Sequence, residues 1–134
     1  MDKTKQPGIS FDTIFLKEMK FRRNPKNIGS DINIDFASNI SMSDDQKQLS
    51  YELVCKVSDN EKKFSLECSM MGIFSSIEGK ENMNLKQFAE INAPALMLPY
   101  IRELVTTTTV RAGLRPISFP PINVIALLKE KKQS

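Results

Sequence analysis

The sequence lacks the residues from which most enzyme active sites are built. It has no His and no Trp, and only two Cys among 134 residues. Without an imidazole there is no side chain whose ordinary pKa lies near neutral pH, so a hydrolytic or redox centre would have to use carboxylates, lysines or the two thiols. We therefore predict a protein that is not an enzyme and that needs no cofactor.

The few cysteines and glycines also exclude common ligand sites. Cys55 and Cys68 lie in alternating apolar segments without a CxxC spacing, which argues against zinc binding and thioredoxin-like exchange and favours reduced core residues. The five glycines are isolated, so neither a dinucleotide fingerprint nor a phosphate loop can be assembled. The acidic residues Asp44-Asp45 and Glu78 to Glu81 fall in predicted turns, where solvated side chains are the better interpretation.

Long apolar runs are missing as well. No segment approaches the roughly 20 apolar residues of a membrane span, and the basic N-terminal residues are not followed by the apolar segment of a secretory signal. We predict a cytoplasmic protein without membrane insertion. The net charge of +3 is a mild excess. The basic stretch Lys17 to Lys26, with Phe21 as a stacking platform, leaves nucleic acid as a minor alternative, since a charged strand end is the commoner meaning.

Four segments alternate apolar and polar residues, as strands with one buried face do. They are Ile9 to Phe21, Ile32 to Met42, Leu49 to Val57 and Phe64 to Met70. Polar turns separate the last three, which predicts an antiparallel sheet that the first strand can join.

The first of these strands is irregular. Five apolar residues share one parity: Ile9, Phe11, Phe15, Met19 and Phe21. Ile14 and Leu16 interrupt the polar face. This interruption fits a bulge, a twist, or burial of both sides against a second subunit.

Helical spacing replaces alternation in the last third of the chain. Residues 85–92 predict a short helix behind the possible cap Asn82 or Asn84. Pro94 suits the first turn of a second helix, and Gly113 suits the position just after its last turn.

The second helix contains two weak points. Pro99 removes a backbone hydrogen bond and predicts a kink, and Thr106 to Thr109 are poor helix formers. Packing against other parts of the protein must therefore hold this helix together. A last helix is predicted from Ile122 to Leu128, after Pro120-Pro121.

Several motifs follow one another in a fixed order from Gly72 onward. They are Gly72-Ile73-Phe74-Ser75, Ile77-Glu78-Gly79, Asn92-Ala93-Pro94, Leu98-Pro99-Tyr100 with Arg102-Glu103, and the proline-containing link Leu114 to Asn123. In this order they resemble the SecB protein-export chaperone family. Lys17-Glu18-Met19-Lys20-Phe21 is similar to the end of the family's first strand.

The resemblance implies an α+β fold. Its parts are a four-stranded antiparallel sheet, a long kinked helix and a shorter C-terminal helix, assembled as a dimer of dimers with the helices between two extended sheets. It implies one domain over residues 9–128, with a flexible N-terminus at 1–8 and a short basic tail at 129–134.

The resemblance also implies an ATP-independent holdase that binds unfolded or precursor polypeptides and passes them to the translocase motor SecA. The implied client-binding residues are Phe21, Ile28, Phe74, Phe119, Ile122, Val124 and Leu128. The implied interface of a homotetramer comprises Leu98, Tyr100, Ile101, Leu104 and Val105.

Other features depart from the family pattern. Glu18 and Glu67 match acidic positions at which family members bind SecA, but Arg22 stands at a third such position. The chain is basic overall, and the connector Arg22 to Ser30 has none of the aromatic residues that help to wall the family's groove. These departures keep two alternatives open, a chaperone dedicated to one partner such as an antitoxin, or a non-catalytic oligomeric scaffold.

Overall fold

The computed structural model describes residues 5–6, 8–26, 29, 31–77 and 84–117. Its elements are β1 (Lys5–Gln6), β2 (Ile9–Arg23), β3 (Ile32–Met42), β4 (Gln48–Asp59), β5 (Phe64–Ser76) and α1 (Leu85–Arg111). The predicted C-terminal helix lies outside the described residues.

All strands pair antiparallel in one sheet of order β1-β2-β5-β4-β3. The expected four-stranded sheet is therefore present, and the two-residue β1 extends it at one edge. Since β2 and β3 are consecutive but lie on opposite sides of the β5-β4 pair, the chain between Arg23 and Ile32 must cross from one side to the other.

The two central strands form the sheet's side of the core. Side chains directly opposite in an antiparallel pair point to the same face, and apolar residues of β4 and β5 are paired this way along the helix-covered face. They include Leu49, Tyr51, Leu53, Cys55 and Val57 on β4, and Phe64, Leu66, Cys68, Met70 and Phe74 on β5, all of them buried. The predicted alternation of these strands is confirmed.

The two cysteines are confirmed as buried free thiols. Cys55 lies directly opposite Cys68 in the register. The hydrogen bond that Cys55 shares with Cys68, together with burial, raises the pKa of the Cys55 thiol, so this group stays protonated.

Two bulges explain the irregular pattern of β2. The register with β5 shifts between Phe11 and Thr13 and again between Leu16 and Glu18. Each extra residue exchanges the two faces of the strand. The expectation that Phe15 shares a face with Phe11 is therefore wrong, since Phe11 pairs with Phe74 on the core side and Phe15 pairs with Met71 on the other side.

The helical segment forms one helix, and the predicted break near Asn92 is wrong. Pro94 and Pro99 both lie within α1. Asn84 caps the helix because its side-chain oxygen accepts hydrogen bonds from the backbone nitrogens of Lys86 and Gln87, at 2.9 and 3.2 Å. The helix continues past both prolines because one side of it packs on the sheet through fully buried residues, namely Ala93, Met97, Ile101, Val105 and Thr109.

The threonine run at the end of α1 binds the chain that follows it. The buried Thr109 hydroxyl donates to Val105 O at 2.9 Å and accepts from the backbone nitrogen of Ile117 at 3.4 Å. Thr106 Oγ1 donates to the carbonyl of Ile117 at 3.1 Å. These residues contribute little to helix propensity, and their hydroxyls instead hold residue 117 against the helix. Gly113 ends the helix with a positive φ of 75°, as predicted.

Candidate functional site

Large apolar side chains on β2 remain exposed. We call Phe15, Leu16 and Met19 the β2 patch, and their exposed fractions are 47%, 45% and 40%. Because of the bulges, Leu16 and Met19 face the helix side of the sheet while Phe15 faces the opposite side. Apart from the short pairing with β1 at residues 9–10, the outer edge of β2 has no partner strand in the described part of the chain. This region combines an open backbone edge with apolar surface on both faces.

Large apolar side chains are also exposed on α1, around the parts of the helix that do not pack on the sheet, which we call its outward side. Ile91, Tyr100 and Val110 are about half exposed, and Leu96 and Leu104 lie partly buried beside the core. Ile91 lies near the start of the helix, Tyr100 in its middle and Val110 in its last turn. Exposed apolar side chains therefore occur along the whole length of α1. Together with the β2 patch, they account for most of the large exposed hydrophobic residues of the described chain.

The five side chains expected at an oligomer interface separate into two groups. Leu98, Ile101 and Val105 are buried inside the subunit, with exposed fractions of 8%, 0% and 0%. Tyr100 is exposed and Leu104 is partly buried. Leu98, Ile101 and Val105 pack α1 on the sheet of the same chain. Of the five, only Tyr100 and Leu104 are available to contact another copy.

Two of the expected client-binding residues lie in the described part of the chain. Phe21 is half-buried at the end of β2, where it pairs with Leu66 on the helix side. Phe74 is fully buried; its ring stacks on Phe11 at a centroid distance of 4.8 Å and meets the edge of Phe88 at 6.0 Å. Phe74 is therefore a core residue in this subunit, whereas Phe21 lies at the margin of the core. Ile28, Phe119, Ile122, Val124 and Leu128 lie outside the described residues.

Arg23 attaches the connector to the end of α1. Its Nη1 donates to Ala112 O at 2.6 Å, its Nε to Asn24 O at 3.0 Å and its Nη2 to Lys26 O at 3.3 Å. A guanidinium near the last carbonyls of a helix is favourable both as a hydrogen-bond donor and as a charge. Arg23 thus fixes the position of residues 24–26 beside the helix terminus.

Asp59 holds the other end of the connector. Its Oδ2 accepts from the backbone nitrogen of Gly29 at 2.6 Å, and its Oδ1 accepts from those of Lys63 and Phe64 at 2.7 and 3.1 Å. Burial opposes the ionised form, but the three N–H donors outweigh it and hold the pKa of Asp59 below its usual range. A Cβ on Gly29 would lie 2.2 Å from Asn60 Oδ1, so a larger residue here would require the Asn60 side chain to move.

Sequence reasoning did not identify Arg23 or Asp59 as anchors. For Asp59 a signal existed, since an Asp ahead of a polar turn commonly accepts hydrogen bonds from the backbone that follows. For Arg23 there was none, because its partner Ala112 is 89 positions away.

The acidic residues expected to bind SecA are paired with lysines. Glu18 lies 3.0 Å from Lys20, and Glu67 lies 3.5 Å from Lys56. A hydrogen bond to Glu18 and its charge raise the pKa of Lys20, which keeps this lysine protonated. Each of the two carboxylates expected to contact SecA therefore has a lysine side chain beside it, on the face of the sheet opposite α1.

Glu52 occupies the middle of that open face. It accepts hydrogen bonds from Ser69 and Asn39 and lies 3.1 Å from Lys17. The Ser69 and Asn39 bonds lower the pKa of Glu52. The open face thus presents an ordered set of paired charges beside Phe15 and has no acidic patch at these positions.

The described residues contain no group of three or more His, Cys, Asp or Glu side chains that could hold a metal ion. Among the same residues, no helix is long and apolar enough to cross a membrane. The surfaces that remain as candidates are the β2 patch, the outward side of α1, and the region around the anchored connector.

A sequence profile described as "Preprotein translocase subunit SecB" matches residues 2–134. The chain belongs to the SecB family. Its fold agrees with this assignment: the SecB-like chaperone Rv1957 of Mycobacterium tuberculosis, solved in complex with a ChAD peptide from the HigA1 antitoxin, superposes with a TM-score of 0.73 at 16% identity, covering 87% of this chain and 88% of that one.

Relatives of the SecB-family chain come from bacteria and from an archaeon. It is 29% identical to the protein-export protein SecB of Saccharophagus degradans over 90% of this chain and 76% of that protein. It is also 29% identical to an uncharacterised protein of Methanocaldococcus jannaschii, over 90% of this chain and 83% of that protein. The chain thus spans most of the length of both relatives.

Proposed function

We propose that this protein is an ATP-independent holdase that binds unfolded or precursor polypeptides in the cytoplasm and has no catalytic activity. The observation that carries the proposal is the β2 patch, where large apolar side chains stand open on both faces beside an unpaired strand edge. The free energy falls when extended apolar chains cover such a surface, and this does not require a particular client sequence. Membership in a family of export chaperones supports the same function.

We further propose that part of this apolar surface is covered by other copies of the chain in a homotetramer. Tyr100 and Leu104 on the outward side of α1 are available for such contacts. Leu16 and Met19 lie where a second sheet could extend the first. Exposed apolar side chains that lie together on a surface mark an association site more often than scattered ones do.

The proposed function is tested by the refolding of a denatured, slowly folding precursor protein in the presence of a stoichiometric amount of the chaperone. We expect a delay in refolding, or suppression of aggregation, of equal size with and without ATP. Light scattering and recovery of native precursor measure the two effects. No delay by protein that is shown to be folded and oligomeric would contradict the proposal.

A second candidate, a chaperone dedicated to one partner, is favoured by the lysine pairing of Glu18 and Glu67. The structural neighbour from M. tuberculosis holds an antitoxin peptide, which gives an example of this role in a protein of similar fold. If the lysines shield the carboxylates, SecA should bind the wild-type protein weakly.

This candidate is tested by measuring SecA binding to the wild type and to the double variant Lys20→Gln/Lys56→Gln. We expect tighter binding by the variant, and the variant Lys86→Gln, on the first turn of α1, serves as a control with a smaller change of charge. Tight SecA binding by the wild type would favour general export over a dedicated partner.

A further inference from the structure

One end of the molecule collects more positive charge than the whole chain carries. Here the start of the connector (residues 22–26), the turn between β4 and β5 (59–63) and the end of α1 (111–115) come together, with Asp31 beside them. The contacts that join them are Arg23 Nη1 to Ala112 O at 2.6 Å and Asn24 N to Lys63 O at 2.6 Å. We call this region the basic end.

The basic end contains seven basic and three acidic side chains, an excess of four charges against a net charge of +3 for the chain. The basic residues are Arg22, Arg23, Lys26, Lys62, Lys63, Arg111 and Arg115. The remaining residues are therefore close to neutral in sum. Charge has been concentrated here by the fold, since these positions are spread over more than 90 residues of sequence.

Most of this positive charge is free to act on a partner. Of the acidic side chains, Asp59 is buried and engaged with backbone nitrogens, and Glu61 lies 3.5 Å from Lys63. Arg23 is occupied by carbonyl groups. The other five basic side chains are exposed and form no ion pair within the described part of the chain: Arg22, Lys26, Lys62, Arg111 and Arg115.

The neighbours of the basic end are aliphatic. Val110 is 51% exposed in the last turn of α1, and Leu114 and Ile117 are partly buried just after it. Among the described residues of this region no aromatic ring is exposed, because Phe21 is half-buried against Leu66. Proteins that bind single-stranded nucleic acid combine positive charge with exposed rings on which bases stack. Positive charge beside aliphatic side chains instead suits a polypeptide with both acidic and apolar residues.

We infer that the basic end selects polypeptides in which an apolar segment is flanked by Asp or Glu residues. Val110 and its neighbours would contact the apolar segment, while Arg111, Arg115 and Lys62 would attract the carboxylates. Complementary charge of this kind raises the association rate, and repulsion between like charges discriminates against clients with positively charged flanks. The inference rests on the proposed holdase function and specifies which clients it prefers.

The test uses three fluorescent peptides that share one apolar segment and differ only in its flanks, which are Glu, Lys or Ser. Anisotropy titrations with the full chain are run at low and at physiological ionic strength. We expect the Glu-flanked peptide to bind roughly tenfold more tightly than the Ser-flanked one at low salt, and the Lys-flanked peptide to bind most weakly. The preference should shrink with added salt.

Two double variants, each of which removes two positive charges, show which part of the molecule causes the preference for Glu flanks. Arg111→Gln/Arg115→Gln, at the basic end, should reduce the preference for Glu flanks about threefold or more. Lys47→Gln/Lys86→Gln changes exposed lysines in the turn between β3 and β4 and at the start of α1, the other end of the molecule, and should leave the preference unchanged. Circular dichroism confirms that both variants are folded.

The outcomes separate this inference from the proposed function. Equal binding of all three peptides would overturn the charge preference and leave the holdase function intact. Failure of every peptide to bind would overturn both. Tighter binding of a single-stranded oligonucleotide than of the Glu-flanked peptide would show that the basic end binds nucleic acid, which would also overturn the inference.

Discussion

Strands β5 and β2 are neighbours in the sheet, yet they use their apolar residues in opposite ways. On β5 the helix-facing residues Phe64, Leu66 and Phe74 are exposed by no more than 1%. On β2, Phe15, Leu16 and Met19 are 40–47% exposed. The difference shows that Phe15, Leu16 and Met19 lie outside the helix-covered core of the described chain. Other apolar residues of β2 belong to that core, since Ile9 is buried in it and Phe11 packs against it.

The largest effect should come from removing a core ring of β5. Phe74→Ala deletes a ring packed between Phe11 and Phe88, and we expect it to lower the free energy of unfolding by about 3–5 kcal/mol. The matched change Phe15→Ala should cost less than about 1 kcal/mol. Denaturant unfolding at one protein concentration compares the two, and similar losses would contradict the difference between the strands.

A smaller effect is expected at Gly72 of β5, where a side chain of α1 packs close to the strand. A Cβ on Gly72 would lie 3.0 Å from Met97 Sδ and 3.4 Å from Phe11 Cε1. Gly72→Val should therefore force α1 away from the sheet and cost about 1–3 kcal/mol. Thermal unfolding measures the loss; a variant as stable as the wild type would show that the helix does not rest on this glycine.

The carboxylate of Asp59, at the end of β4, should make the stability depend on pH. Because backbone N–H donors lower the folded-state pKa of Asp59 below its ordinary value of about 3.9, its contribution to stability is present above about pH 4. It is lost as pH falls through the folded-state pKa. We expect Asp59→Asn to lower the Tm at neutral pH, and the difference from the wild type to shrink below about pH 4.

Thermal unfolding scans of both proteins from neutral to acidic pH provide the measurement. The exposed Asp44, in the turn between β3 and β4, offers a control position, and Asp44→Asn should lower the Tm at neutral pH much less than Asp59→Asn does. A constant difference between Asp59→Asn and the wild type at every pH would refute the assignment.

The smallest effect on the subunit should follow from changes in the β2 patch. Leu16→Ser/Met19→Ser removes apolar surface that is already about half exposed, so secondary structure should be retained. Association should weaken by roughly 1 kcal/mol or more for each side chain that another copy covers. Sedimentation equilibrium measures the change, and unchanged assembly would exclude these residues from the interface.

Local patterns predicted the strands that have one buried face and one exposed face. Phe64 to Met70 alternates throughout, and Leu49 to Val57 alternates except at Val54. Both segments lie in the central strands of the sheet. Pro94 misled the prediction because helix propensity is a local quantity, whereas α1 is continuous through that residue owing to its packing on the sheet. The face of Phe15 was also unpredictable, since bulges arise from the pairing of β2 with β5.

Of the candidate surfaces, the sequence alone indicated the apolar residues of β2 and the basic character of Arg22 and Arg23, because composition and spacing are local. It could not indicate that Lys62, Arg111 and Arg115 lie at the same end, or that Lys56 stands beside Glu67. Composition, order of motifs and alternation determined the family and the strands. Only the tertiary structure decided which charges meet and which apolar residues stay uncovered, because these depend on contacts between segments far apart in the chain.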